Sequence, residues 1–211
     1  MENQPIMPTA RSADAARQSA AAQLRSLHQQ QDRAHTDELR RQWARVLPPA
    51  LRNVRWSDIT QAQPPIDPTV LQRVDAWCRE PVGNLVLCGE PGVGKTWMAV
   101  AAMRRVLRNT HTFDFQVMPE VLEGWRDRSS RPVNLVSPHW LLLDELGGPR
   151  ALSDLELERL WVVINRRSLN QLHTIVTSNF DAQSLSDWAS VRVFDRLRYG
   201  AVIEWPGSSR R

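Results

Sequence analysis

The sequence predicts an α/β fold: a five-stranded parallel sheet flanked by helices, with no separate lid domain and with a helical N-terminal arm in front. Three observations carry this. From residue 67 onward, five short apolar runs alternate with segments of helical periodicity. Runs such as NLVLC (84–88) and WLLL (140–143) lack the polar alternation of a half-wetted strand, so both faces are buried, as in parallel sheets. A glycine-rich segment, Gly89 to Thr96, joins the first run to the helix after it.

The elements follow in order. Residues 1–12 are polar and Pro-bearing and are expected to be disordered. Residues 13–47 are rich in Ala, Gln and Arg without Gly or Pro, a helical composition. Ala20, Leu24 and Leu27, then Leu39, Trp43 and Val46, recur at steps of three and four and put each set on one face. The polar run Gln29 to Asp32 interrupts the stripe, giving two helices or one broken helix. Pro48–Pro49 ends the arm, and residues 48–66, with Trp56, Pro64 and Pro65, read as a linker. The domain of residues 67–211 opens with Asp67 as N-cap and Pro68 as first helical residue. Val70, Leu71, Val74 and Trp77 form one face of that helix, which ends near Glu80. Strands are expected at 84–88, 113–118, 140–143, 172–177 and 201–205. Helices are expected at 96–108, 119–127, 153–169 and 191–199. Ser153 and Glu156 make a capping box for the third of these.

Composition narrows the class. The chain has 211 residues, 42% hydrophobic and 24% charged, enough for a packed core. The formal net charge is +4, from 27 basic and 23 acidic residues. All the basic residues are Arg except one, Lys95. Residues 1–56 hold 9 Arg against 5 acids, and residues 57–211 hold 18 basic against 18 acidic. The basic character therefore belongs to the arm, which suits nucleic acid or an acidic protein surface. Two cysteines, Cys78 and Cys88, make neither a disulfide framework nor a zinc site. No apolar stretch approaches the ~20 residues that span a bilayer, and the N-terminus lacks an apolar signal core. These features predict a cytoplasmic protein with no membrane partner.

Four segments carry chemistry. Gly89-Glu90-Pro91-Gly92-Val93-Gly94-Lys95-Thr96 fits G-x-x-x-x-G-K-[ST] between a strand and a helix. Glycines let backbone N–H groups curl around phosphate oxygens. The helix adds its positive end, Lys95 reaches the β- and γ-phosphates, and the Thr96 hydroxyl ligates Mg²⁺. Trp97 follows directly and joins the nucleotide-binding set, although its apolar periodic position, like those of Trp77, Trp140 and Trp161, reads as core. Trp140-Leu141-Leu142-Leu143-Asp144-Glu145 is an apolar strand ending in two acids. Asp144 can hold Mg²⁺ and Glu145 can polarise an attacking water. Thr177-Ser178-Asn179 ends the fourth strand, where Asn179 can orient that water. Arg192 and Arg196 are four apart on one helix face, which by itself reads as solvated surface.

The succession GEPGVGKT, LLLDELG, INRR, TIVTSNF and RVFDRL resembles the AAA+ ATPases of the DnaC/IstB group, P-loop NTPases that load helicases or assist transposition. Residues 46–59 resemble the linker entering that ATPase domain. The resemblance implies ATP and Mg²⁺ as cofactors, with Lys95, Thr96, Asp144 and Glu145 as Walker residues and Asn179 as sensor 1. Arg196 is similar to an arginine finger acting on a neighbouring subunit's ATP, with Arg192 as its companion. Gly207 to Arg211 fits G-x-S-x-R, making Arg211 the candidate sensor 2 and Arg210 the alternate. The family likeness further implies self-assembly into a spiral or ring and a grip on single-stranded DNA. It also implies a replicative helicase of DnaB type held through residues 13–47. Arg126, Arg128 and Arg131, or Arg166 and Arg167, could face the DNA. Two alternatives stand beside this loader: an IstB-type helper acting with a transposase, and a non-catalytic adaptor that binds nucleotide and captures a helicase.

Overall fold

The computed structural model describes residues 37–107, 112–127 and 134–207. The chain divides into two units between Arg45 and Val46. Of the first, residues 37–45 are described. They belong to α1, helical over residues 37–46, in which Leu39 is half-buried and Trp43 buried. Residues 1–36, with the expected tail and the stripe of Ala20, Leu24 and Leu27, lie outside the described residues.

In the unit Val46–Arg211, five strands set the frame: β1 (Asn84–Gly89), β2 (Phe113–Val117), β3 (Trp140–Asp144), β4 (His173–Ser178) and β5 (Gly200–Trp205). Their spatial order is β2-β3-β4-β1-β5, and every neighbouring pair is parallel. Parallel neighbours cannot be joined by tight turns, so helices fill the crossovers. α2 (Trp56–Thr60) and α3 (Pro68–Arg79) precede the sheet, and the crossover helices are α4 (Lys95–Val106), α5 (Met118–Arg126), α6 (Asp154–Leu169), α7 (Ala182–Ala189) and α8 (Val191–Leu197). The expected parallel sheet is therefore present, with its five strands within a residue or two of their expected bounds.

Side chains alternate across each strand and feed two cores. Val86, Cys88, Leu141, Leu143 and Val176 pack with Met118, Leu122, Leu160, Ile164, Leu185, Val193 and Leu197 on the face of α5 to α8. The opposite face meets α3 and α4. Met98 through Met103 of α4 are all fully buried, as suits a helix enclosed on every side. Burial pushes the thiols of Cys78 and Cys88 up to about 12, so both are packing residues.

Local signals explain the ends. Asp67 Oδ1 accepts from Thr69 N at 2.8 Å and Val70 N at 3.1 Å, fixing the start of α3. Two short helices were not expected. In α7 the Asp181 carboxylate accepts from Ser184 N at 2.7 Å, a cap hidden within a polar stretch. The stretch 48–66, read from sequence as a linker, instead holds a 3-10 turn at Pro49–Leu51 and α2, and it buries Leu51, Val54 and Ile59.

Arg167 requires a correction. It is 1% exposed rather than part of a DNA-facing cluster. Its guanidinium donates to the carbonyls of Leu135, Pro138, His139 and His173 and to Thr174 Oγ1, at 2.5 to 3.5 Å. Burial pulls its pKa down to about 10, opposed by Asp114. It bolts the approach to β3 onto the start of β4.

Glu156 is a buried anion. Its carboxylate accepts from Ser153 N at 2.8 Å, closing the capping box, from Arg150 Nη2 at 2.7 Å and from Arg126 Nε at 2.9 Å. Burial works to raise its pKa, but the Ser153 N–H, Arg150, the Ser153 hydroxyl and Arg126 outweigh it and hold the carboxyl down to about 2. A depressed carboxyl stabilises the fold above its ordinary value of 4.5, and that contribution is lost as pH falls toward about 2. Glu156→Gln should therefore cost about 1–3 kcal/mol near neutrality. Paired thermal melts should show the gap closing between those pH values, and a gap independent of pH would exclude the charge as its source.

Candidate functional site

The site forms where β1, β3 and β4 end. Register places Leu87 beside Thr177 and Gly89 beside Trp205, so three loops converge above one edge of the sheet. Residues 90–94 connect Gly89 to α4. Gly94 precedes that helix with φ 105°, a conformation that glycine adopts without a Cβ clash. At Gly89 the limit is space: a Cβ would stand 2.7 Å from the Trp205 carbonyl oxygen. Trp205, 5% exposed at the end of β5, is thus a floor for the loop.

Lys95 is 6% exposed. Its Nζ donates to Gly89 O at 2.7 Å, Glu90 O at 2.8 Å and Asn179 Oδ1 at 2.9 Å. An ammonium has three donors, and all are occupied. Burial pulls its pKa below the ordinary lysine value, and Asp144, Glu90 and Glu145 oppose that shift. Beside it, Asp144 Oδ1 accepts from Thr96 Oγ1 at 2.8 Å and from Thr177 Oγ1 at 2.6 Å. Thr177 Oγ1 in turn accepts from Glu145 N at 3.0 Å, and Leu146 N donates to Thr177 O at 2.8 Å. These bonds hold Glu145 at φ 58°, a left-handed conformation costing about 1–3 kcal/mol for a non-glycine residue. The Glu145 carboxylate is left exposed at the cavity.

The cavity is about 780 Å³. Lys95, Thr96, Asp144, Glu145, Thr177 and Asn179 line one part, and Leu51, Ile59, Ala62 and Ile66 line another. One part offers a buried cation, hard oxygens and a helix N-terminus, and the other offers an apolar wall. That combination can hold a polyanion attached to a flat apolar group.

The structure brings Lys95, Thr96, Asp144, Glu145 and Asn179 together, with Pro91 to Trp97 on the same cavity. Trp97 is 47% exposed, which corrects its reading as core: it sits one residue before the enclosed stretch of α4. Arg196 is not brought there. Its carbonyl accepts from Asn84 Nδ2 at 2.9 Å, at the opposite end of β1 from Gly89. Five residue steps at ~3.3 Å put these ends about 16 Å apart. The Arg196 Nε stands 3.5 Å from Asn165 Oδ1, and its guanidinium lies 5.8 Å from the Trp161 ring centre. Arg192 and Arg166 are exposed, and Arg126 is paired with Glu156. Arg128, Arg131, Arg210 and Arg211 lie outside the described residues. Thr177, Trp205 and the wall of Leu51, Ile59 and Ile66 were not assigned to the site from sequence. Thr177 stood two residues before Asn179 in a segment already singled out.

A family model described as IstB-like ATP binding protein matches residues 9–199. No curated protein sequence matches the chain. Three solved structures are similar in fold. DnaI has a TM-score of 0.66 at 24% identity, covering 81% of this chain and 100% of its own. A putative primosome component from Streptococcus pyogenes serotype M3 has a TM-score of 0.60 at 23% identity, covering 78% and 92%. The DnaC helicase loader has a TM-score of 0.56 at 20% identity, covering 65% and 89%.

The contact between Gly89 and Trp205 gives a direct test of the loop's seating. Gly89→Ala sets a Cβ against backbone at a positive φ and should cost about 1–3 kcal/mol. The measurement is the denaturant midpoint, and an unchanged value would mean that β5 yields at that point.

Proposed function

The chain belongs to the IstB-like ATP-binding protein family, and from that membership we propose that it is an ATP-hydrolysing helicase loader. In this reading it acts as an AAA+ ATPase that engages a DnaB-type helicase and single-stranded DNA at replication initiation. The observation that carries the ATPase part is the meeting of Lys95 with Asn179, and of Thr96 with Asp144, on one cavity. Lys95 exchanges its two loop carbonyls for phosphate oxygens, while the loop from Gly89 through Glu90, Pro91, Gly92, Val93 and Gly94 surrounds the phosphates with the backbone N–H groups of every residue but Pro91, which has none. Leu51, Ile59 and Ile66 cover the base, and Trp97 stands at the cavity's exposed side.

The site fits Mg²⁺, because Thr96 and Asp144 offer adjacent hard oxygens already directed at each other. These two residues would hold the ion, which supplies charge neutralisation on the phosphate oxygens. Thr177 keeps the Asp144 carboxylate turned toward Thr96. Glu145 accepts the proton of the attacking water. Asn179 orients that water and ties it to the position of Lys95.

The distance of Arg196 from its own cavity supports action in trans, with Arg192 beside it and with assembly into a spiral or ring. Such a finger is worth about 10³–10⁵ in rate. Arg211 serves as sensor 2 in this reading. The basic arm, residues 13–47, holds the helicase. The name of one similar structure, the DnaC helicase loader, supports that assignment, and Glu145, a second acid beside Asp144, argues against an adaptor without turnover. The name of the matching family favours a second reading, an IstB-type helper acting with a transposase.

Lys95→Ala should abolish ATP binding in a fluorescent-nucleotide titration, and retained binding would remove the central assignment. Arg196→Ala should keep ATP binding and lose most turnover, and the wild-type rate per subunit should rise with protein concentration. A flat concentration dependence would exclude trans action. Full-length chain immobilised with ATP should retain a purified DnaB-type hexamer. Retention of a transposase instead would decide for the second reading.

A further inference from the structure

We infer that Asn84 is a positioning residue for Arg196, fixing the end of α8 from which the guanidinium reaches out. The inference rests on the proposal that Arg196 completes a neighbouring subunit's site.

Asn84 opens β1 and is 6% exposed, although its neighbours along the strand are apolar. Its Nδ2 donates to Arg196 O at 2.9 Å, and its Oδ1 accepts from Thr174 N at 2.9 Å. Both partners have fixed polarity, since a carbonyl only accepts and a backbone N–H only donates. The amide therefore has one satisfactory orientation, and a flip would set like against like on both sides. The last carbonyls of a helix lack intrahelical partners. Arg196 O, in the last turn of the seven-residue α8, takes the short bond from Asn84, with Tyr199 N farther off at 3.4 Å. The main chain adds a second grip, because Asn84 N donates to Tyr199 O at 2.7 Å. The start of β1 thus holds the chain at residue 196 and again at residue 199.

The Arg196 side chain is held differently. Its contacts with Asn165 at 3.5 Å and the Trp161 ring at 5.8 Å are long, and the residue is exposed. A fixed base with a loosely held tip is what a group needs to reach into a second copy and settle in one geometry there. Displacement of a catalytic group by about 1 Å can cost about 10²-fold in rate. Asn84 stands at the far end of β1 from the phosphate loop, so its loss should spare nucleotide binding.

Asn84→Asp isolates the contact. It keeps an acceptor for Thr174 N and sets an oxygen, in place of a donor, against Arg196 O. With full-length protein, ATP, Mg²⁺ and single-stranded DNA, turnover should fall about 10- to 100-fold, with ATP affinity unchanged. Mixing subunits separates positioning from damage. Glu145→Gln subunits should be inactive alone but carry an intact Arg196 and Asn84. Mixed with Asn84→Asp, they should restore turnover, because the Asn84→Asp subunit still owns an intact site. Arg196→Ala subunits should not restore it. Asn84→Ala should behave alike in both mixtures, so misfolding of one variant leaves the other to decide. Wild-type turnover in the Asn84 variants, beside a slow Arg196→Ala, would overturn the inference alone. Failure of Glu145→Gln subunits to rescue would overturn it too, showing a general structural role. Wild-type turnover in Arg196→Ala would remove the trans proposal and this inference together.

Discussion

β1 is hydrogen-bonded along both edges, to β4 and to β5, and the rest of the molecule is arranged around that constraint. A strand held on both sides cannot shift its register without breaking two ladders and moving its apolar side chains to the wrong face. Leu85, Val86, Leu87 and Cys88 are fully buried, and each large apolar side chain contributes roughly 1.5–3 kcal/mol. One end of this fixed strand launches the phosphate loop over Trp205. The other end presents Asn84 to the close of α8.

Three of the buried charges among the described residues are satisfied in three ways. Arg167 is saturated by carbonyls from two segments, an arrangement with no vacancy to offer a ligand. Glu156 is neutralised by two arginines that are themselves half in water. Lys95 is satisfied by two loop carbonyls and Asn179, all of them groups that a phosphate can displace or share. It is the only lysine among 27 basic residues. A compact ammonium on a flexible stem can exchange partners within a narrow neck, whereas a planar guanidinium needs a fork-shaped site. The basic excess of the chain lies elsewhere, in residues 1–56.

What was legible in the sequence was what is local. The glycine spacing before Lys95, the apolar runs, the Asp67 cap and the Ser153–Glu156 box each act within a few residues, and each fold element they imply is present. What was hidden depends on pairing between distant segments. Trp205 matters because register sets it beside Gly89. Leu51 and Ile59 matter because the chain before the sheet folds back over the cavity, which composition alone renders as a Pro-rich linker. Arg167 looked like surface because it forms a basic pair with Arg166, yet one helical step turns it into the protein while Arg166 stays exposed. Asn84 gave no signal, since a polar residue at a strand's edge is ordinary in sequence. Its meaning comes from Thr174 and Arg196, which are 90 and 112 residues away.

The position of Arg196 bears on how the proposed ATPase would be regulated. Arg196 O is bonded at the Asn84 end of β1, about 16 Å along the strand from Gly89, so under the proposed action in trans a single chain would hold an incomplete site. Completion would then require a second copy, and slow turnover in isolation would follow from that proposal. The same strand would join the two proposed roles within one subunit, leading into the phosphate loop at one end and, through Asn84, holding the close of α8 at the other. Because β1 is held on both edges, the distance between those ends is set by the sheet. Assembly can then vary only how subunits meet, so a partner or DNA strand that aligns neighbours would act on turnover without altering the site within any one chain.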